Sequence, residues 1–188
     1  DDQRDRLQAY LGPRYWAEDE LQQAIRADTA ARGPSIEVSA ESGRTLAVLV
    51  RAVGATRVLE LGTLFGYSGV WIARQLPPDG HLDTVEANPT HADAAEHWFA
   101  EAGLADRVTV HRGPALDVLP GLPGPYDLAF VDADKEPYPT YARLALDRLR
   151  VGGVLVVDNV IWSGRIVGSE RDPGTDAIRA LHDQLASS

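Results

Sequence analysis

Val58-Leu59-Glu60-Leu61-Gly62-Thr63-Leu64-Phe65-Gly66-Tyr67-Ser68-Gly69 holds a strand, a turn and the start of a helix. The apolar, β-branched run at 57–61 predicts a buried strand that stops at Gly62, and the chain then turns through Gly66. Beyond the turn Val70, Trp71, Ala73 and Leu76 recur at helical spacing. Strand, glycine turn and helix in this order open a doubly wound nucleotide-binding unit. The glycines at Gly62 and Gly66 read G-x-x-x-G, which differs from the dinucleotide pattern G-x-G-x-x-G.

Glu60 stands two residues before the first glycine. A carboxylate at that strand end would face a pyrophosphate with like charge, which is unfavourable in a partly dry crevice. It suits a ligand that carries an ammonium group. S-adenosylmethionine has that group and a sulfonium, and no phosphate, so a methyl-donor site is expected here.

At 188 residues the chain is expected to form one α/β domain over 1–188, with N-terminal helices over 1–54 and an α/β core over 55–188. A net charge of −10 argues against a general nucleic-acid binder, whose affinity depends on cations that neutralise phosphates. The absence of cysteine excludes disulfides and thiolate metal sites and fits a cytoplasmic location. No apolar run approaches the ~18 residues of a membrane span, and the charged start at 1–6 is no signal peptide. The chain contains no methionine, which predicts a piece of a longer product, with a purged composition as the alternative.

Outward from the central stretch, Leu7, Tyr10 and Leu11 and then 17–31 predict one or two helices broken at Gly12-Pro13. Ser39 with Ser42 is placed to cap an apolar helix over 45–53. After the turn at Pro77-Pro78-Asp79-Gly80, strands at 81–86, 107–111, 126–131 and 154–157 alternate with helices at 89–102, 115–119, 139–150 and 176–185. Gly152-Gly153 is read as the opening of the last strand, and 163–174, with three glycines, as a mobile loop. Five strands separated by helices give an α/β fold: a doubly wound, mostly parallel sheet with helices on both faces.

Ligands of such sheets sit outside the carboxyl ends of the strands. Those ends read Glu60, Glu86, Gly113, Asp132 and Asp158-Asn159. Glu86, 24 residues beyond Gly62, stands where an acidic side chain binds ribose hydroxyls, a helix cap being the alternative. Asp132, Asp158 and Asn159 make a hard, all-oxygen set suited to Mg2+, Ca2+ or Mn2+, although each alone would serve as a cap. Lys135 is a general base only when neutral, while Asp132, Asp134 and Glu136 favour its charged form; a salt-bridged surface lysine is the other reading. His81, His91, His97, His111 and His182 lack paired ligand spacing and read as surface or structural residues. Trp71 and Trp98 fit helix cores, and Trp162 fits a site wall or loop packing. Ser68, with no partner histidine, fits a cap or a cofactor contact better than a nucleophile.

Three motifs, V-L-E-L-G-T-x-x-G-Y-S, F-V-D-A-D-K and V-V-D-N-V-I-W-x-G, together resemble the cation-dependent O-methyltransferases, which include the caffeoyl-CoA and catechol enzymes and many bacterial relatives. The resemblance runs from about Ile36 to His182. It implies metal ligands at Asp132, Asp158 and Asn159 and a base at Lys135. It implies donor contacts at Val38, Glu60, Gly62, Tyr67, Ser68, Glu86 and Ala115. Asp132 and Asp134 join them, Asp134 at a position that approaches the methionine end. The family often has G-D-A where this chain reads Gly113-Pro114-Ala115, and Pro114 removes a side-chain acceptor and a backbone donor. The family also continues into two further strands; either those lie outside the given sequence or the fifth strand has an open outer edge.

The expected reaction moves a methyl group from S-adenosylmethionine to a hydroxyl of a vicinal diol on an aromatic small molecule, with Mg2+ as the first choice of cation and Mn2+ or Ca2+ as alternatives. The expected partners are that substrate and a second copy in a homodimer, with no nucleic acid and no membrane. A methyltransferase acting on RNA or protein, or a non-catalytic donor-binding module, remains the alternative.

Overall fold

A computed structural model describes residues 2–187; positions 1 and 188, the ends of the expected domain, lie outside the described residues. Helices α1 (Asp2–Tyr15), α2 (Glu20–Arg32) and α3 (Ala40–Ala52) precede the first strand. The break expected at Gly12-Pro13 does not occur. α1 runs on through Pro13, and Trp16 N–H donates to the Gly12 carbonyl at 3.0 Å. Pro13 costs only the bond to the carbonyl of Ala9, an exposed residue in the last turns, so the helix tolerates it. Asp19 and Gln22 form a reciprocal capping box for α2. Ser39 accepts from Ser42 N–H at 3.1 Å, so α3 begins directly after its cap, at Ala40 and ahead of the start expected at 45.

The α/β core follows as β1 (Arg57–Leu61), α4 (Tyr67–Ala73), β2 (His81–Glu86), α5 (Pro89–Glu101), β3 (Val108–Arg112), α6 (Ala115–Val118), β4 (Tyr126–Val131), α7 (Tyr138–Leu146), β5 (Leu149–Val157) and α8 (Pro173–Ala186). The strands pair in parallel in the order β3-β2-β1-β4-β5, the expected doubly wound sheet. β5 begins at Leu149, before the glycine pair. A Cβ on Gly153 would stand 2.9 Å from the Arg150 carbonyl oxygen, and the β4–β5 register shifts between Tyr126 and Leu128. The glycines therefore form an irregularity inside the strand, where the sequence suggested a turn before it.

Both faces of the sheet are covered, as a parallel sheet requires. Val58, Leu82, Leu128 and Phe130 pack with Leu46, Val70 and Phe99 from α3, α4 and α5. Leu59, Leu61, Ala129 and Val131 pack on the other face with Tyr138, Tyr141, Ile178 and Leu181 from α7 and α8. Each fully buried Leu, Val or Phe contributes about 1.5–3 kcal/mol. Among the described residues no helix is long and apolar enough to cross a membrane.

Candidate active site

β1 and β4 are neighbours, and their outgoing loops meet at one backbone contact. Asp132 N–H donates to the Leu61 carbonyl at 2.9 Å, and a Cβ on Gly62 (φ +95°) would lie 2.1 Å from the Asp132 carbonyl oxygen. Only glycine fits. The turn then crosses the end of the sheet and enters α4 at Gly66 (φ +86°), where no side chain caps the helix.

Glu86 closes the next turn over this one. Its Oε2 accepts from Thr63 N–H at 3.2 Å and Leu64 N–H at 2.8 Å, and its Oε1 accepts from Asn88 N–H at 2.9 Å. On the opposite rim Arg26 of α2 fastens the segment before α3. It donates to Glu18 at 2.6 Å, to Glu37 at 2.8 Å and to the Val38 carbonyl at 3.0 Å. Tyr67 OH donates to the same Glu18 oxygen at 2.6 Å, and burial with that bond pushes the phenol up to about 12. Val38 and Tyr67 are thus tied to one another through Glu18 and Arg26.

A cavity of about 1200 Å³ opens over these strand ends. Val38, Gly62, Tyr67, Ser68, Glu86, Ala115, Asp132, Asp134, Lys135, Asp158 and Asn159 all line it. Glu60 is not among the lining residues. Strand alternation puts Glu60 on the face of Val58, beneath α4, where it is fully buried. Ser68 donates to its Oε1 at 2.7 Å and Thr84, its cross-strand partner, to Oε2 at 2.6 Å. Glu60 therefore reaches the cavity through Ser68, and through Thr84 to Thr63, whose hydroxyls lie 2.6 Å apart.

At the ends of β4 and β5, Lys135 Nζ donates to Asp132 Oδ1 at 2.9 Å and also contacts the Tyr138 hydroxyl. Tyr138 OH donates to the Asp158 carbonyl at 3.3 Å. Burial pushes the Asp132 carboxyl up; Lys135 opposes this and the charge of Asp158 adds to it. The Tyr138 phenol is raised by burial and then by Asp132 and Asp158. Asn159 (φ +60°) directs its N–H to Asp158 Oδ1 at 2.6 Å. Asp134 accepts from Tyr141 OH at 2.9 Å. Among the described residues no three His, Asp or Glu side chains gather as a metal cluster, so the candidate cation set is two carboxylates and the Asn159 amide oxygen. Their hard oxygens fit Mg2+, Mn2+ or Ca2+.

Other lining residues were not expected. His91 was read as a surface or structural residue, yet it lines the cavity 3.7 Å from Glu86 and 5.6 Å from the Phe65 ring centroid. Its place in the first turn of α5, five residues after Glu86, was the available signal. Trp162 is a wall, and the expected mobile loop begins as a 3-10 segment, Trp162–Val167. Leu64, Asn159, Trp162 and Ser163 are the non-glycine residues with positive φ among those described, and all four line the cavity. Each costs about 1–3 kcal/mol, the kind of strain that concentrates at functional sites.

The chain matches the family described as O-methyltransferase over residues 15–187. It is 48% identical over 161 residues to a protein named catechol O-methyltransferase of Mycobacterium tuberculosis (strain ATCC 25618 / H37Rv), covering 85% of this chain and 72% of that one. A catechol O-methyltransferase of Niastella koreensis is 38% identical over 177 residues, covering 92% and 80%. Among solved structures, the O-methyltransferase TomG from Streptomyces achromogenes, involved in tomaymycin synthesis and in complex with SAM, superposes with a TM-score of 0.93 at 39% identity over 97% of this chain and 85% of that one. The O-methyltransferase from Bacillus cereus in complex with SAH gives 0.92 at 35% identity, over 97% and 86%.

Proposed function

This chain belongs to the O-methyltransferase family, and on that premise we propose that it moves a methyl group from S-adenosylmethionine to one hydroxyl of a vicinal dihydroxy aromatic molecule, with a divalent cation at Asp132, Asp158 and Asn159. The observation that carries the reading is the meeting, in one cavity, of the Gly62–Ser68 turn with an all-oxygen set beside Lys135. At about 1200 Å³ the cavity exceeds the roughly 300–1,000 Å³ usual for one small ligand, so two reactants have room.

Val38, Gly62, Tyr67, Ser68, Glu86 and Ala115 would hold the donor. Glu86 arrives already aimed by three backbone N–H groups, which favours acceptance from ribose hydroxyls over reorganisation. With Glu60 ionised, Ser68 donates its hydroxyl hydrogen bond to Glu60 and presents only an acceptor to the cavity, which together with Asp134 suits an ammonium. A bound Mg2+ or Mn2+ would supply Lewis acidity toward two adjacent acceptor oxygens. Lys135, beside Asp132 and Tyr138, would receive the acceptor's hydroxyl proton once it has given up its own, since only the neutral amine can accept. Trp162 and Ile161 wall the acceptor end. Glu37, Glu86, Asp132, Asp134 and Asp158 face the cavity against a single lysine, a balance that repels a phosphate backbone and favours a small molecule over RNA.

The test compares a catechol with its matched monophenol, using S-adenosylmethionine, in chelator and then with Mg2+ or Mn2+ restored. The expected outcome is cation-dependent methylation with strong preference for the catechol. Equal methylation of both phenols in excess chelator would sink the reading.

A further inference from the structure

We propose that Arg179 is a positioning residue that holds the acceptor wall of the cavity in its working shape, an inference that rests on the function proposed above. α8 buries Ile178 and Leu181 against the sheet and turns Arg179 toward the irregular loop that follows β5. The Arg179 guanidinium serves four carbonyls of that loop. Nε donates to Ile166 at 3.0 Å, Nη1 to Glu170 at 2.7 Å, and Nη2 to Arg165 and Gly168 at 2.9 Å each. Asp176, 3.0 Å from Nη1, balances its charge. The Arg165 carbonyl also accepts from Gly168 N–H at 3.1 Å, but four carbonyls of an irregular segment that converge on one point need a rigid, multi-donor fork, which arginine supplies and lysine does not.

One turn along the helix, His182 Nε2 lies 2.9 Å from the Val160 carbonyl oxygen. α8 therefore grips the chain on both sides of Trp162 and Ser163, the adjacent left-handed pair. Such conformations persist only where the surroundings over-determine them. Arg179 and His182 add to the local bonds Trp162 N–H to Asn159 and Gly164 N–H to Ile161 in holding the pair, which lines the cavity beside Asp158 and Asn159. The donor residues Val38, Gly62, Tyr67, Ser68, Glu86 and Ala115 share none of these bonds. Loss of the clamp should then disturb the acceptor and spare the donor.

The experiment compares full-length Arg179→Met and Arg179→Lys with the wild type, and with Arg143→Met, which removes an exposed pair with Asp147 on α7, as control. Donor affinity is measured by calorimetry, acceptor kcat and KM on a catechol with Mg2+, and the rate of trypsin cleavage at the Arg165–Ile166 bond by mass spectrometry. For Arg179→Met the expected result is unchanged donor affinity, acceptor kcat/KM lower by about 10- to 100-fold, the scale of a misplaced reacting group, and faster cleavage. Arg179→Lys should recover part of each loss. Unchanged acceptor kinetics, or donor affinity that falls in step with them, would overturn the proposal. If the wild type methylates no catechol, the functional reading fails; the cleavage rates then decide alone, and equal rates in wild type and variants overturn the clamp.

Discussion

Glu60 is a carboxylate sealed from solvent. Burial pushes it up to about 7, against the hydrogen bonds from Thr84 and Ser68, with the charges of Asp132 and Glu86 adding to the rise. Between its ordinary value of 4.5 and about 7 the folded chain holds a proton that the unfolded chain has released. Its contribution to stability is therefore full below 4.5, declines as pH rises through that window, and is gone above about 7. The swing is on the order of 3 kcal/mol. Glu60→Gln removes the titration, so its stability relative to wild type should climb between pH 5 and 8 in urea melts. Parallel curves for the two proteins would contradict this. At Lys135, replacement by alanine should lower turnover by about 10²–10⁴-fold while donor binding is kept. Single-turnover rates with donor affinities check it, and a loss confined to donor affinity would make Lys135 a donor contact. The strand-end acids were legible because α/β sheets collect ligands there. The side that Glu60 faces follows from counting by twos from Val58, which outranks its nearness to Gly62. Arg179 left no such mark, since a guanidinium on an amphipathic helix looks like any solvated side chain.

Among the elements, the crossing of the β1 and β4 loops tolerates least. Gly62→Ala places a methyl 2.1 Å from the Asp132 carbonyl oxygen at φ +95°, so backbone must move. The expected loss is about 3 kcal/mol or more, the sum of overpacking and left-handed strain. Donor affinity and acceptor turnover should fall together, because the shared contact carries both loops. Gly121→Ala, with no atom within 4 Å of its Cβ, is the matched control. Thermal melts of both variants check the difference. β1 and β4 were readable to the residue, since strands buried on both faces are near-continuous apolar runs. β5 was not: Gly152-Gly153 carries the signal of a turn and lies inside a strand, held by pairing to β4 that no local pattern encodes. The 3-10 segment after β5 was missed for a similar reason. Its order comes from α8, more than ten residues further on.

At the scale of the molecule, strand order β3-β2-β1-β4-β5 divides the cavity at its middle. Donor residues come mainly from the β1 and β2 side, joined by Asp134 after β4, and cation and acceptor residues from the β4 and β5 side. Asp158→Ala should therefore abolish the response to Mg2+ and leave donor affinity near wild type, with calorimetry and a metal titration as the two readouts. Loss of donor binding in that variant would show that the halves are not independent. The loop after β5 and the helix that grips it are also consecutive in the chain, and that adjacency bears on inheritance. A segment spanning 159–182 carries the wall, its left-handed pair and both clamping side chains, so it can be exchanged between relatives as one cassette. Acceptor preference would then travel with the cassette, while 159–170 grafted alone would arrive without the side chains that give it shape.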